Sequence, residues 1–286
     1  MRFWQFLRWI APEELPDLAQ KVEDSLFDGL VLGDHAVFPE KIESPYPYSK
    51  DGKVLWDPET PWPDVWIAIA AMAAVTKRIH FSTNIFVLPM RNPIEMAKKL
   101  ATLSVMSGNR VALGSGVGWM AEEYQALGVD FKTRGKRYDE MIDIMRKLWT
   151  GEMVEHHGEI FDFPRLQMSP KPAGHIPIYL GGGSPPAMRR AARIGDGWIT
   201  GNFTRETIGD TFTNLCQMLK EAGRENDPFE IIAPVGADLD FIKMLRDLGA
   251  TSIIDLPSRR DLGSGKTIQE KADYFNRYSD EIIAKL

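Results

Sequence analysis

Eight short apolar runs recur along the chain, and each is followed by a stretch whose apolar residues fall at a helical period. The runs cover residues 2–7, 30–33, 79–87, 110–113, 176–180, 197–200, 229–234 and 252–256. Most are continuously apolar rather than alternating, so the sheet they build must be covered on both faces, as a parallel sheet is. The simplest closure is an α/β fold of the (β/α)8 TIM-barrel type, with residues 1–286 as a single domain; an open doubly wound sheet is the alternative.

The helical stretches carry their own signals. A helix is expected over 12–27 with Gly29 ending it, and another over 64–76. Asn92-Pro93 supplies an N-cap and a first-turn proline to a helix with Ile94, Ala97, Ala101 and Val105 on one face. Tyr138, Met141, Ile142, Met145 and Leu148 give residues 133–149 a 3.6-residue period. Further helices are expected from Ser184-Pro185 to 194, around Ile208 to Leu219, over 238–248 and from Ile268 to Ile282. Two segments break the alternation. Residues 36–63 hold six prolines and are too long for a simple connector, which suggests a lid. Residues 150–175 read as an irregular surface excursion.

Charge and cysteine content exclude several functions. With a formal net charge of −6 and no basic cluster, a nucleic-acid partner is not expected. Cys216 is the single cysteine, and the His residues lack metal-ligand spacing, so neither an intrachain disulfide nor a metal site is expected. Residues 1–10 lack the apolar core of a signal peptide, and no apolar run approaches the roughly 20 residues that span a bilayer. A cytoplasmic protein with a small-molecule organic substrate and no membrane partner is the expectation.

In a barrel the chemistry stands at the C-terminal ends of the strands. After the second run, Asp34-His35 places a carboxylate and an imidazole, the side chain best suited to move a proton near neutrality; the structural alternative is a capped turn and a packed histidine. Gly114, Gly116 and Gly118 invite a dinucleotide-binding reading, but the spacing to Trp119 and the late position argue against it. Room for a flat ring, with Trp119 as its wall, is the better functional reading. Gly181-Gly182-Gly183-Ser184 is the most informative stretch: its glycines let a ligand approach the backbone, and a helix start with free N–H groups would hold a phosphate. Gly195-Asp196-Gly197-Trp198 offers another close approach, with core packing favoured for Trp198.

Taken in order, Gly33-Asp34-His35, the stretch Leu88 to Pro93, Gly116-Val117-Gly118-Trp119 with Glu122-Glu123-Tyr124, the stretch Arg134 to Glu140, and Gly181-Gly182-Gly183 with Gly195-Asp196-Gly197-Trp198 resemble the luciferase-like monooxygenase superfamily, most of all its probable F420-dependent oxidoreductase branch. The resemblance covers most of residues 1–205. It implies a cofactor ring at the barrel mouth, coenzyme F420 or alternatively FMN, with its phosphate at the loop after the fifth strand. It implies a non-prolyl cis peptide beneath the ring, at Asn84–Ile85, and a homodimer. His35 becomes the first candidate for proton transfer. Deazaflavin sugar-phosphate dehydrogenases of the superfamily carry an acid where this chain has Trp119, so their substrate is not carried over; Glu122 or Glu123 would substitute, and Glu122 is taken with His35 and Asp34 as the catalytic set. Hydride transfer is the expected reaction. An O2-using FMN monooxygenase and a flavin-binding protein without turnover are the alternatives.

Overall fold

The computed structural model describes residues 1–286, and its strands run in parallel around a barrel. They are β1 (Arg2–Phe6), β2 (Gly29–Leu32), β3 (His80–Thr83), β4 (Phe86–Val87) and β5 (Leu113–Gly116). After an antiparallel pair outside the barrel, β6 (Val154–His157) and β7 (Asp162–Leu166), come β8 (Ile178–Gly181), β9 (Gly197–Ile199), β10 (Glu230–Val235) and β11 (Ser252–Asp255). The main sheet has the order β3-β2-β1-β11-β10-β9-β8-β5-β4. Its two ends are halves of one strand, interrupted at Asn84–Ile85, whose peptide is cis as the resemblance implies. Phe81 closes the ring: its amide donates to the Arg110 carbonyl at 2.7 Å, and its carbonyl accepts from Ala112 at 2.8 Å.

Alternate strand residues point inward, and Trp4, Phe6, Val31, Tyr179, Ile232 and Ile254 fill the barrel axis. The outward set packs on the helices α1 (Leu15–Glu23), α2 (Val65–Ala74), α3 (Pro93–Ser107), α4 (Ala121–Ala126), α5 (Arg134–Trp149), α6 (Pro185–Ile194), α7 (Ile208–Glu221), α8 (Leu239–Asp247), α9 (Arg259–Leu262) and α10 (Ile268–Glu281). Asp64 caps α2, Asn92 caps α3 and Ser184 caps α6 through their side-chain oxygens. None of these helices is long and apolar enough to cross a membrane.

Several expected boundaries move, each for a physical reason. Helix α1 ends at Glu23, and Gly29 instead opens β2, where a Cβ would lie 2.5 Å from the Trp4 ring. The fourth strand is displaced from 110–113 to Leu113–Gly116, because the glycines expected to follow it are the strand itself: a Cβ on Gly114 would lie 1.9 Å from the Thr83 carbonyl oxygen. On α3 the buried stripe centres on Met96, Leu100 and Ser104, so Val105 falls past its edge and is 48% exposed. The supposedly irregular excursion contains the β6–β7 pair, whose connecting turn is anchored by the Glu140 carboxylate, which accepts from the amides of Phe161 (2.8 Å) and Ile160 (3.2 Å).

One polar network lies between barrel and helix. Asp255, fully buried on β11, accepts from Tyr274 of α10 at 2.7 Å and from Gln5 of β1 at 3.0 Å. Its Oδ1 has no partner, and burial pushes its carboxyl up to about 7 despite both hydrogen bonds. The folded protein therefore holds a proton here that the unfolded chain releases near pH 4, and the stability linked to it is present at acid pH and lost as pH rises to about 7. Asp255→Asn should raise the free energy of unfolding at pH 8 by up to about 4 kcal/mol and leave it unchanged near pH 4. Chemical denaturation at the two pH values checks this; an equal effect at both would contradict it.

Candidate active site

All eight strand positions of the barrel send residues to a single cavity of about 380 Å³ at its C-terminal mouth. Its floor is Ile85, which follows the cis peptide and projects between two glycines: a Cβ on Gly116 would lie 2.4 Å from Ile85 Cδ1, and one on Gly181 would lie 2.9 Å from Ile85 Cγ2. Asn84, Ile85, Gly118, Trp119, Gly181 and Gly182 line the cavity, whereas Gly116 lies beneath Ile85 and the next two residues of the expected set, Gly183 and Ser184, fall outside the lining. Gly118 has φ +71°, a left-handed conformation that glycine adopts without penalty, and it turns the chain so that Trp119 reaches the wall.

His35 follows β2 and stands in the same wall. Its Nδ1 meets Oε2 of Glu123 at 3.0 Å, and Glu123 is only 1% exposed. The other oxygen of Glu123 accepts from the amide of Ala36 at 2.7 Å. With a carboxylate as acceptor, Nδ1 carries the proton, which leaves Nε2 as the ring nitrogen free to exchange one. The rings of Trp56 and Trp62 lie 4.6 and 4.9 Å from the imidazole, so the ring is fixed by packing as well as by charge.

The other two catalytic candidates, Asp34 and Glu122, are held in contacts of their own. Asp34 also faces the cavity, but its carboxylate is occupied: it accepts from Arg91 at 2.9 Å and from the Val87 amide at 3.0 Å. Burial pushes the Asp34 carboxyl up, and the Arg91 guanidinium pulls it only part of the way back. Asp34 thus ties β4 to β2. Glu122 makes no hydrogen bond to His35 and accepts from the amides of Glu43 (2.7 Å) and Ser44 (3.0 Å) in the 36–63 loop. Burial disfavours its charge, but its own amide and those of Ser44 and Glu43 outweigh this and lower its pKa. The two neighbouring glutamates of α4 divide the work: Glu123 holds the histidine and Glu122 holds the lid.

That loop does cover the mouth. Tyr46, Tyr48, Trp56 and Trp62 line the cavity, and Asn202 after β9 donates from Nδ2 to the Pro47 carbonyl.

The glycine turn after β8 departs from expectation in its donors. Pro185 and Pro186 occupy the first two positions of α6 and have no N–H, and the third amide, Ala187, is taken by Ser184 Oγ at 3.4 Å. The helix start is therefore poor in free donors. In the turns beside it, the amides of Gly183 and Ser184, and those of Gly201 and Asn202 after β9, donate to no protein acceptor. The two turns abut so closely that a Cβ on Gly201 would lie 2.4 Å from the Gly183 nitrogen. Free amides on two abutting turns form a backbone nest suited to a phosphate. Trp198, fully buried on β9, donates from Nε1 to the Gly182 carbonyl at 2.8 Å and so fixes the turn from behind; Gly195 and Gly197 stand before and at the start of β9, away from the mouth. Thr200 adds a buried hydroxyl without a partner in the cavity wall. A flat ring over Ile85 with an anionic arm on the nest fits these residues.

Sequence reasoning passed over Arg8, Trp9 and Asn202, all cavity-lining. Arg8 and Trp9 directly follow β1, so the strand-end rule would have found them.

The sequence model of the family described as luciferase-like monooxygenase matches residues 7–237. An uncharacterized protein of Mycobacterium tuberculosis is 35% identical over 274 residues, covering 94% of each chain. The F420-dependent glucose-6-phosphate dehydrogenase of Nakamurella multipartita is 31% identical over 235 residues, 80% of this chain and 64% of that protein. Among solved structures, a monooxygenase from Streptomyces bottropensis superposes with TM-score 0.78 at 19% identity, covering 100% of this chain and 99% of that one. The coenzyme F420 dependent tetrahydromethanopterin reductase of Methanopyrus kandleri gives 0.77 at 16%, covering 99% of both.

Removing the lid's anchor should release it without unfolding the barrel. Glu122→Ala loses two hydrogen bonds to a charged acceptor, each worth about 1.5–3 kcal/mol, so trypsin cleavage at the exposed Lys41, Lys50 and Lys53 should accelerate at least about tenfold. Unchanged cleavage would show that the loop is held elsewhere.

Proposed function

The chain belongs to the luciferase-like monooxygenase family, and from that premise we propose that it is an oxidoreductase using coenzyme F420 for hydride transfer to or from a small organic substrate. One observation carries the reading: the unspent amides of Gly201 and Asn202, abutted by the Gly183 turn, line the same mouth as the Ile85 floor and the His35 wall. The curated relatives named as F420-dependent dehydrogenases, 31% and 30% identical, support the deazaflavin over FMN.

When bound, the deazaflavin supplies the carbon that gives or takes the hydride. The chain's residues do the rest. The nest would hold the phosphate, and Ile85 would support the ring. His35 takes or gives a proton through Nε2 at the substrate atom that gains or loses charge. Glu123 keeps that ring oriented and stabilises it when it is doubly protonated. Tyr46, Trp56 and Trp62 exclude water above the site.

Fluorescence titration tests the cofactor directly. F420 should bind with a Kd below about 100 μM, and Gly201→Ala, whose Cβ would lie 2.4 Å from the Gly183 nitrogen, should weaken it at least about tenfold. FMN binding in preference to F420, with oxygen uptake by the reduced complex, would replace this reading with that of an FMN monooxygenase. His35→Ala should bind F420 normally and lose at least about 100-fold in turnover; an unaffected rate would remove the histidine from the chemistry, and a wild-type protein that binds either cofactor without turnover would leave a carrier.

A further inference from the structure

We propose that Arg8, backed by Trp9 at the end of β1, is the anchor for a carboxylate on the substrate, so that the mouth selects small organic acids with an apolar or aromatic body. The inference rests on reading the mouth as a substrate cavity. Arg8 is the one Lys or Arg side chain among the residues that line it. The single carboxylate lining the cavity, Asp34, is already engaged with Arg91. Arg8 makes no ion pair; its Nε and Nη2 both donate to one carbonyl, that of Pro257, at 3.2 and 2.6 Å. That leaves Nη1 and the second Nη2 hydrogen unspent, the end of the guanidinium that a carboxylate grips with two parallel bonds.

The group is held as a rigid plane. Its carbon lies 4.0 Å from the Trp9 ring centroid and 5.4 Å from that of Phe6. Trp9 adopts φ +61°, a conformation rare for a bulky residue, and this turn brings its indole into the cavity wall beneath the guanidinium. Burial works against the Arg8 charge and lowers its pKa, a penalty that an incoming anion removes.

Position separates this anchor from the phosphate nest. In the barrel order β1 lies across the ring from β8, whereas it is the direct neighbour of β2, which carries His35. A group held at Arg8 is therefore a second group, placed beside the imidazole. A cavity of about 380 Å³ lies near the lower end of ligand pockets, roughly 300–1,000 Å³, so a substrate that shares it with a flat ring must be small. Trp9, Trp56, Trp62 and Trp119 supply an apolar lining for its body.

Those tryptophans also supply the readout. Quenching of intrinsic fluorescence by benzoate, phenylacetate and 3-phenylpropionate is compared with quenching by the matching amides, in phosphate buffer so that the nest is not the acceptor, with and without F420. The acids should bind at least about tenfold more tightly than the amides, a difference of about 1.4 kcal/mol. Arg8→Gln should abolish the preference and keep F420 affinity within about twofold, and Arg8→Lys should retain part of the preference. Equal binding of acid and amide, no binding of any probe at about 10 mM, or an unaltered preference in Arg8→Gln would overturn the proposal. So would a loss of F420 affinity in Arg8→Gln, which would assign the guanidinium to the cofactor's acidic tail. The cofactor-free arm separates the two readings, since failure of wild-type protein to bind F420 sinks the functional proposal and leaves the acid preference measurable.

Discussion

The barrel closes only because the third strand approaches its neighbours without intervening side chains. Gly114 admits the Thr83 carbonyl, and Gly116 and Gly181 make room for Ile85. A side chain at any of the three would push β5 or β8 away from the Asn84–Ile85 segment. The same close approach that completes the ring also sets a branched apolar side chain at the cavity's floor, so the wall and the binding surface are one construction. The cavity therefore inherits the rigidity of the barrel, and only its roof is built from a loop.

The roof is coupled to the chemistry through α4, a helix of six residues. Its two adjacent glutamates point different ways because successive helical residues lie about 100° apart. Glu122 takes two loop amides; Glu123 takes the imidazole and the amide of Ala36, where the loop begins. Any displacement of α4 moves lid and histidine together. The lid in turn rests on the site it covers: Trp62 packs on the backbone of Gly33, where a Cβ would meet its ring at 2.7 Å.

How much of this the sequence revealed follows from how local each signal is. The strand–helix alternation, the caps at Asn92 and Ser184, and the histidine at a strand end depend on neighbours in the chain, and they were legible. The choice between Glu122 and Glu123 depends on the rotation of a short helix relative to a strand 88 residues earlier, since Glu123 contacts His35 across that separation. No periodicity carries that information. The β6–β7 pair was missed because Val154–His157 contains one apolar residue and owes its order to Glu140 on α5. The proline pair at 185–186, by contrast, was in plain view: it removes two helix N–H donors and leaves the free amides in the turn before the helix.

The replacement of an acid by Trp119 gains its meaning from this geometry. An acid at that position would face the cavity and could meet a substrate directly. Glu123 reaches the site four residues later and from behind, 1% exposed, with one oxygen committed to Ala36 and the other to His35. A carboxylate so enclosed has no route to the cavity except through the imidazole, while Trp119 adds apolar surface where the acid would have stood. On the proposed reading this leaves one proton carrier in the wall, Nε2 of His35, which suits a reaction that moves one proton with each hydride.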